Sequence, residues 1–139
     1  MQDEDGWLIT YRGVVYPSQC DHMGHMNVTW YTGKFDEATW NLFAACGMTS
    51  QYVREKRRGM AGVQQNITYK RELYAGDVVT VRTKVLELRE RVVRWLHEMV
   101  HEGEVVCVSD LTAVHLDLDT RKAVAFDAEV AQRIRAMVQ

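Results

Sequence analysis

The spacing of apolar positions changes character several times along the chain, and each change marks an element. Leu8 to Tyr16 is dense in β-branched and aromatic residues and stops at Pro17, the single proline, which cannot donate to a sheet ladder; it predicts a first strand. From Asn27 the period becomes helical: Trp30, Tyr31, Phe35, Ala38, Leu42, Ala45 and Cys46 recur at three- and four-residue steps. Gly47 follows as a C-terminal stop and Asn27 stands as an N-cap, so one long helix begins at Asn27 or Val28. Val28, Trp40 and Phe43 widen its apolar stripe, which predicts a helix covered on most sides, interrupted by Lys34, Asp36, Glu37, Thr39 and Asn41. Thr49 to Arg58 carries a short helical pattern. Four extended segments follow, at Met60–Tyr69, Asp77–Leu88, Val92–His101 and Val105–Leu118. The clearest is the second, where Val79, Val81, Thr83 and Val85 alternate with Thr80, Arg82 and Lys84. Their connections are too short for crossover helices, so the strands are antiparallel. Ala125 to Gln139 closes the chain as a short amphipathic helix, with Val130, Ile134 and Val138 at four-residue steps. The order predicts one α+β domain spanning 1–139, with a five-stranded sheet wrapped around one long helix.

Composition narrows the function classes. With 139 residues the chain can bury a core without disulfide staples. Cys20, Cys46 and Cys107 are an odd number without a C-x-x-C pair, which predicts free thiols, a reducing compartment and a cytoplasmic protein. The acidic opening Met1 to Trp7 lacks a secretory pattern, and no apolar run approaches membrane-spanning length. A net charge of −2 gives no case for nucleic acid, so a small substrate or a second copy of the chain is the expected partner.

Candidate chemistry concentrates in Cys20-Asp21-His22-Met23-Gly24-His25-Met26-Asn27, which joins the first strand to the long helix. A helix N-terminus offers free N–H groups that stabilise negative charge, a setting suited to attack on a carbonyl carbon. Asp21 also suits a turn or a cap, and His25 suits either proton transfer or a hydrogen bond that shapes the loop. The cluster Arg54, Lys56, Arg57 and Arg58 reads either as a solvated surface or as a phosphate-binding patch. His97-Glu98-Met99-Val100-His101 matches the H-E-x-x-H zinc signature, but that chemistry needs a helix, and the flanking Val-rich segments predict a strand. No metal or other cofactor is expected. Nucleophile-elbow, P-loop and dinucleotide motifs are absent.

Asp21-His22-Met23-Gly24-His25-Met26-Asn27 followed by Phe35-Asp36-Glu37-Ala38 resembles the loop and central helix of hotdog-fold acyl thioesterases, in particular the group named after 4-hydroxybenzoyl-CoA thioesterase. Ile67-Thr68-Tyr69 with Leu73 and Gly76-Asp77-Val78 is similar to the family's second and third strands. The resemblance implies a hotdog fold and hydrolysis of acyl-CoA to a free acid and coenzyme A. It makes Asp21 the nucleophile or general base and the Val28 N–H the donor to the carbonyl oxygen. His25 and Asn27 match a related loop in plant acyl-carrier-protein thioesterases, which carry asparagine where this chain has Met23. Glu37 stands as an alternative base, because other hotdog enzymes use a helix acid. Trp30 and Tyr31 are expected against the acyl group, and Arg54, Lys56, Arg57 and Arg58 against the coenzyme's phosphates. A homodimer or homotetramer is implied, with the site built across the interface. The alternative is a hotdog protein that binds or hydrates acyl thioesters without hydrolysing them.

Overall fold

A computed structural model describes residues 5–138; Met1 to Glu4 and Gln139 lie outside the described residues. In chain order the elements are β1 (Leu8–Val14), a 3-10 turn at Pro17–Gln19, α1 (Val28–Ala45), α2 (Ser50–Lys56), β2 (Arg58–Tyr69), β3 (Val78–Leu88), β4 (Val92–His101), β5 (Glu104–Asp117) and α3 (Ala128–Arg135). The five strands form one antiparallel sheet in the order β1-β3-β4-β5-β2, which leaves β1 and β2 as its edges. α1 packs against one face of the sheet and completes the hotdog arrangement that the resemblance implies.

The two-residue period delivers its inward side chains as expected. Val79, Val81, Thr83 and Val85 of β3, and Val93, Trp95, His97 and Met99 of β4, are all buried. Along α1 they form two apolar clusters. Tyr31, Phe35 and Ala38 pack with Val79, Val81 and Met99. Leu42, Phe43 and Cys46 pack with Val85, Val93, Trp95 and the α3 residues Val130 and Ile134.

Several boundaries, and the covering of α1, differ from the sequence reading. β1 ends at Val14; Val15 still donates to the Asp77 carbonyl and accepts from the Gly76 N–H, and the turn that Pro17 opens leads Tyr16 away from the sheet. β2 starts at Arg58, two residues early, pairing Arg58 with Asp117 and Gly59 with Leu116 of β5. α3 stops at Arg135, so Val138 leaves the helical stripe and makes a parallel bridge to Val85 instead. One sheet covers only one side of α1: Val28, Trp30 and Trp40 are exposed, so this chain alone does not cover the helix all round.

Three of the helix's polar interruptions reach partners on the sheet, Lys34 and Thr39 from its inner side and Asn41 from an exposed position. Lys34 is buried and donates to the Tyr11 hydroxyl at 3.0 Å and the Val14 carbonyl at 3.4 Å. Asn41 donates to the Thr10 carbonyl at 2.6 Å. Thr39 meets His97 Nε2 at 2.8 Å.

His97 sits between the two apolar clusters, stacked on Phe35 and edge-on to Trp95. The Trp95 indole N–H donates to Nε2 at 3.0 Å, so Nε2 carries the lone pair and the ring proton lies on Nδ1, facing Thr83 Oγ1 at 2.6 Å. Thr83 then bonds Thr10, which donates to the Val81 carbonyl. This chain of bonds accommodates only neutral imidazole, and burial drives the His97 pKa down from 6.5 to about 3. Because the folded state resists protonation, stability is complete above 6.5 and falls as pH drops from 6.5 towards 3. Urea midpoints measured from neutral pH down to mildly acidic pH are expected to decline in the wild type, and to decline less steeply in a less stable His97→Gln variant. Equal slopes would remove His97 as the cause.

Candidate active site

The loop from Cys20 to Met26 is a tight excursion closed by a bridge between those two residues. Within it the Asp21 N–H donates to the His25 carbonyl at 3.1 Å and the Gly24 N–H to the Asp21 carbonyl at 3.0 Å. Gly24 has φ +88°, a conformation that side chains strain against. This turn holds the Asp21 carboxylate in a fixed orientation. Its Oδ1 accepts from the Met23 N–H at 2.8 Å and its Oδ2 from the Asn27 amide at 2.9 Å. The Asn27 amide, then the Met23 N–H, hold the Asp21 carboxyl below its ordinary value of 3.8, with smaller help from His25 and His22. The group is a carboxylate throughout the neutral range.

Asn27 does two things at once. While its amide nitrogen holds Asp21, its Oδ1 accepts from the Thr29 N–H at 3.0 Å and caps α1. The Trp30 N–H is taken by the Asn27 carbonyl. The Val28 N–H, the first of the helix, has no hydrogen-bond partner among the described residues. Val28 also borders a cavity of about 560 Å³ lined by His25, Met26, Tyr31, Tyr69, Arg71, Glu72 and their neighbours. A carboxylate and a free helix-terminal donor are thus joined through one asparagine; Val28 borders the cavity, whereas Asp21 and Asn27 are not among the residues that line it. That pairing can activate a nucleophile and stabilise the oxyanion it produces.

The structure gathers Asp21, His25, Asn27 and Val28 into one loop and helix start. Tyr31 lines the cavity, its ring edge-on to Tyr69 and its hydroxyl on the Arg71 carbonyl. Trp30 lies outside that lining. Glu37 is exposed and borders neither this cavity nor a second one of about 210 Å³, which the preceding acid, Asp36, does line, between α1 and strands β2 and β5. The basic cluster lies at the far end of β2 from Tyr69, roughly 36 Å along the strand at about 3.3 Å per residue. There Arg57 pairs with Asp119 and Arg58 with Asp117, while Arg54 and Lys56 are exposed. Sequence reasoning missed Tyr69, Lys70, Arg71, Glu72 and Tyr74, which line the cavity from the β2–β3 connection. The signal available was the run of aromatic and charged residues just before Gly76-Asp77.

His97 and His101 both lie on β4, which spreads their side chains along an extended strand. No group of three or more metal-ligating side chains converges among the described residues.

Comparison with known proteins shows the family and the fold. The description "Thioesterase-like superfamily" matches residues 15–134. The chain belongs to the thioesterase-like superfamily. Similar to this superfamily member are the betainyl-CoA thioesterase of Pseudomonas aeruginosa, 27% identical over 95% of this chain and 84% of the relative, and the long-chain acyl-CoA thioesterase FadM of Escherichia coli, 26% identical over 83% and 88%. A Staphylococcus aureus protein solved in complex with CoA superposes with a TM-score of 0.89 at 18% identity, over 94% of this chain and 84% of that one. This superfamily member has no helix among the described residues long and apolar enough to cross a membrane.

Proposed function

We propose that the chain, acting as one domain, hydrolyses acyl-CoA thioesters to a free acid and coenzyme A, and that Asp21 and the Val28 N–H carry the reaction. The observation behind this is the double role of Asn27, which orients the Asp21 carboxylate and caps the helix that presents Val28. Asp21 acts on the thioester carbonyl as nucleophile, or as general base for water. The Val28 N–H receives the developing oxyanion, and sulfur departs as the thiolate. The relatives named for betainyl-CoA and for long-chain acyl-CoA bracket the acyl groups to test. The experiment is release of free thiol from a panel of short, cationic, aromatic and long-chain acyl-CoA esters, compared by kcat/KM. No thiol release from any of them refutes the proposal. A reducing cytoplasm suits the three free cysteines.

The active unit in this reading is a homodimer, alone or within a tetramer. β2 is an edge strand whose outer side is unpaired, and Val63 and Tyr69 on it are exposed, as are Val28, Trp30 and Trp40 on α1. Antiparallel β2–β2 pairing about a two-fold axis closes the β2 edge of each copy and sets one copy's Arg58 end beside the other copy's Tyr69 end. The basic cluster, with Arg54 and Lys56 free of acidic partners among the described residues, then reaches the coenzyme on the neighbouring copy. Light scattering is expected to give two or four times the chain mass, and Val63→Lys on the open edge to give monomers that have lost activity. A fully active wild-type monomer overturns this assembly.

A further inference from the structure

The cavity beside Val28 has a second wall that the Asp21 mechanism leaves unused. The connection between β2 and β3 places Glu72 against the catalytic loop. Glu72 Oε1 lies 3.6 Å from His25 Nε2, and Glu72 Oε2 accepts the Tyr74 hydroxyl at 2.9 Å. The main chains of the two segments are tied as well, by the Met26 N–H on the Leu73 carbonyl at 2.7 Å. The turn carrying Glu72 is in turn held by the Tyr74 N–H on Asp77 Oδ2 at 2.8 Å. The other nitrogen of His25, Nδ1, faces the Met26 carbonyl at 3.4 Å. Each ring nitrogen therefore has an oxygen in front of it, which sets the plane of the imidazole. The ring itself lines the same cavity as Val28 and is 25% exposed, open enough for a bound thioester to reach.

We infer that Glu72 is a positioning residue of the thioesterase centre, orienting the His25 ring so that it meets the bound thioester beside the Val28 N–H. This rests on the reading of Asp21 and Val28 above. The gap of 3.6 Å is longer than a hydrogen bond, and contacts of this kind tighten once substrate fills the site. Glu72 is 60% exposed, and the Tyr74 hydroxyl on the far oxygen of its carboxylate favours the orientation that faces His25. Lys70 and Arg71 line the cavity too, but Arg71 is engaged by Glu104 at 2.7 Å.

A double-mutant cycle tests the inference, with kcat, KM and melting midpoint measured for Glu72→Gln, His25→Gln and the pair, and Asp21→Asn assayed alongside. Glu72→Gln and His25→Gln are each expected to lower kcat about tenfold with KM changed less than about twofold, since a displaced catalytic ring acts on turnover more than on binding. The double variant is expected to match His25→Gln alone, because Glu72 has nothing to orient once the ring is gone. Multiplying losses, a Glu72→Gln loss that appears in KM or in the melting midpoint rather than in kcat, or full activity in that variant would each overturn the inference. Its failure is distinct from failure of the underlying reading. If Asp21→Asn is inactive while the cycle is additive, only the role of Glu72 falls; if Asp21→Asn is fully active, the Asp21 mechanism falls whatever the cycle shows.

Discussion

Asp21→Asn is expected to lower kcat for acyl-CoA hydrolysis by about 10³-fold while leaving the fold intact, the scale of loss when a positioned acid-base or nucleophilic group is removed. The substitution keeps the side chain's size. Its carbonyl oxygen can still accept one of the two N–H bonds that Met23 and Asn27 now make to the carboxylate, so the loop has reason to keep its shape. What disappears is the negative charge and with it both routes to the carbonyl. The melting midpoint should stay close to the wild-type value while thiol release collapses. Near-wild-type kcat in the variant would show that the carboxylate is a loop-shaping group only. The wild-type pH profile carries a second mark of the same residue. Because its hydrogen bonds depress the Asp21 pKa below 3.8, the carboxylate's contribution is present above that value and is lost only as pH falls through the lowered pKa. The acid limb of kcat/KM assigned to this group should therefore lie below the ordinary aspartate range. After a single turnover in heavy-oxygen water, label found in Asp21 establishes the nucleophilic route. Direct attack by water puts the label in the product acid, whereas an anhydride opened at the enzyme's carbonyl leaves it in Asp21.

Val28→Pro is expected to lower kcat by about 10²- to 10³-fold, the usual cost of losing one oxyanion donor, with little change in stability. The position is unusually suited to this test. Proline is favoured as the first residue of a helix, where the missing N–H has no intrahelical partner. The residue before it must be extended, and Asn27 already has φ −69° and ψ 146°. The Val28 side chain is 56% exposed, so its loss removes little packing. Proline thus deletes one hydrogen atom from the centre and leaves the helix in place. Val28→Ala, which keeps the N–H, should lose far less than the proline variant. A proline variant with a wild-type melting midpoint and wild-type kcat would place the oxyanion elsewhere.

Most of the fold was legible because its signals are local. The inward alternation of Val79, Val81, Thr83 and Val85, the cap at Asn27 and the stop at Gly47 each depend on residues within a few positions, and each appears as expected. The misplaced ends share another origin. Tyr16 continues a β-type composition past the point where the turn at Pro17 leads the chain away, and Val138 keeps a helical spacing after the helix has ended. Pattern alone does not show where a partner strand stops or where a tail folds onto β3.

The loop holding Asp21 and the helix start holding Val28 are neighbours in the chain, so the sequence by itself pointed to the carboxylate, the helix cap and the N–H beside it, while the bond from the cap to the carboxylate came from the structure. Their geometry follows from hydrogen bonds that span six residues or fewer. Only the tertiary structure decided what surrounds them. Glu72 reaches His25 because antiparallel pairing carries the β2–β3 connection back to the loop, and Lys34, Thr39 and Asn41 turn toward the sheet because β1 and β4 hold their polar partners there. A polar residue on a helix reads as solvent-facing until a partner from a distant strand is found for it. The same distant pairing leaves His97 neutral in the core, between a threonine on either side and a tryptophan.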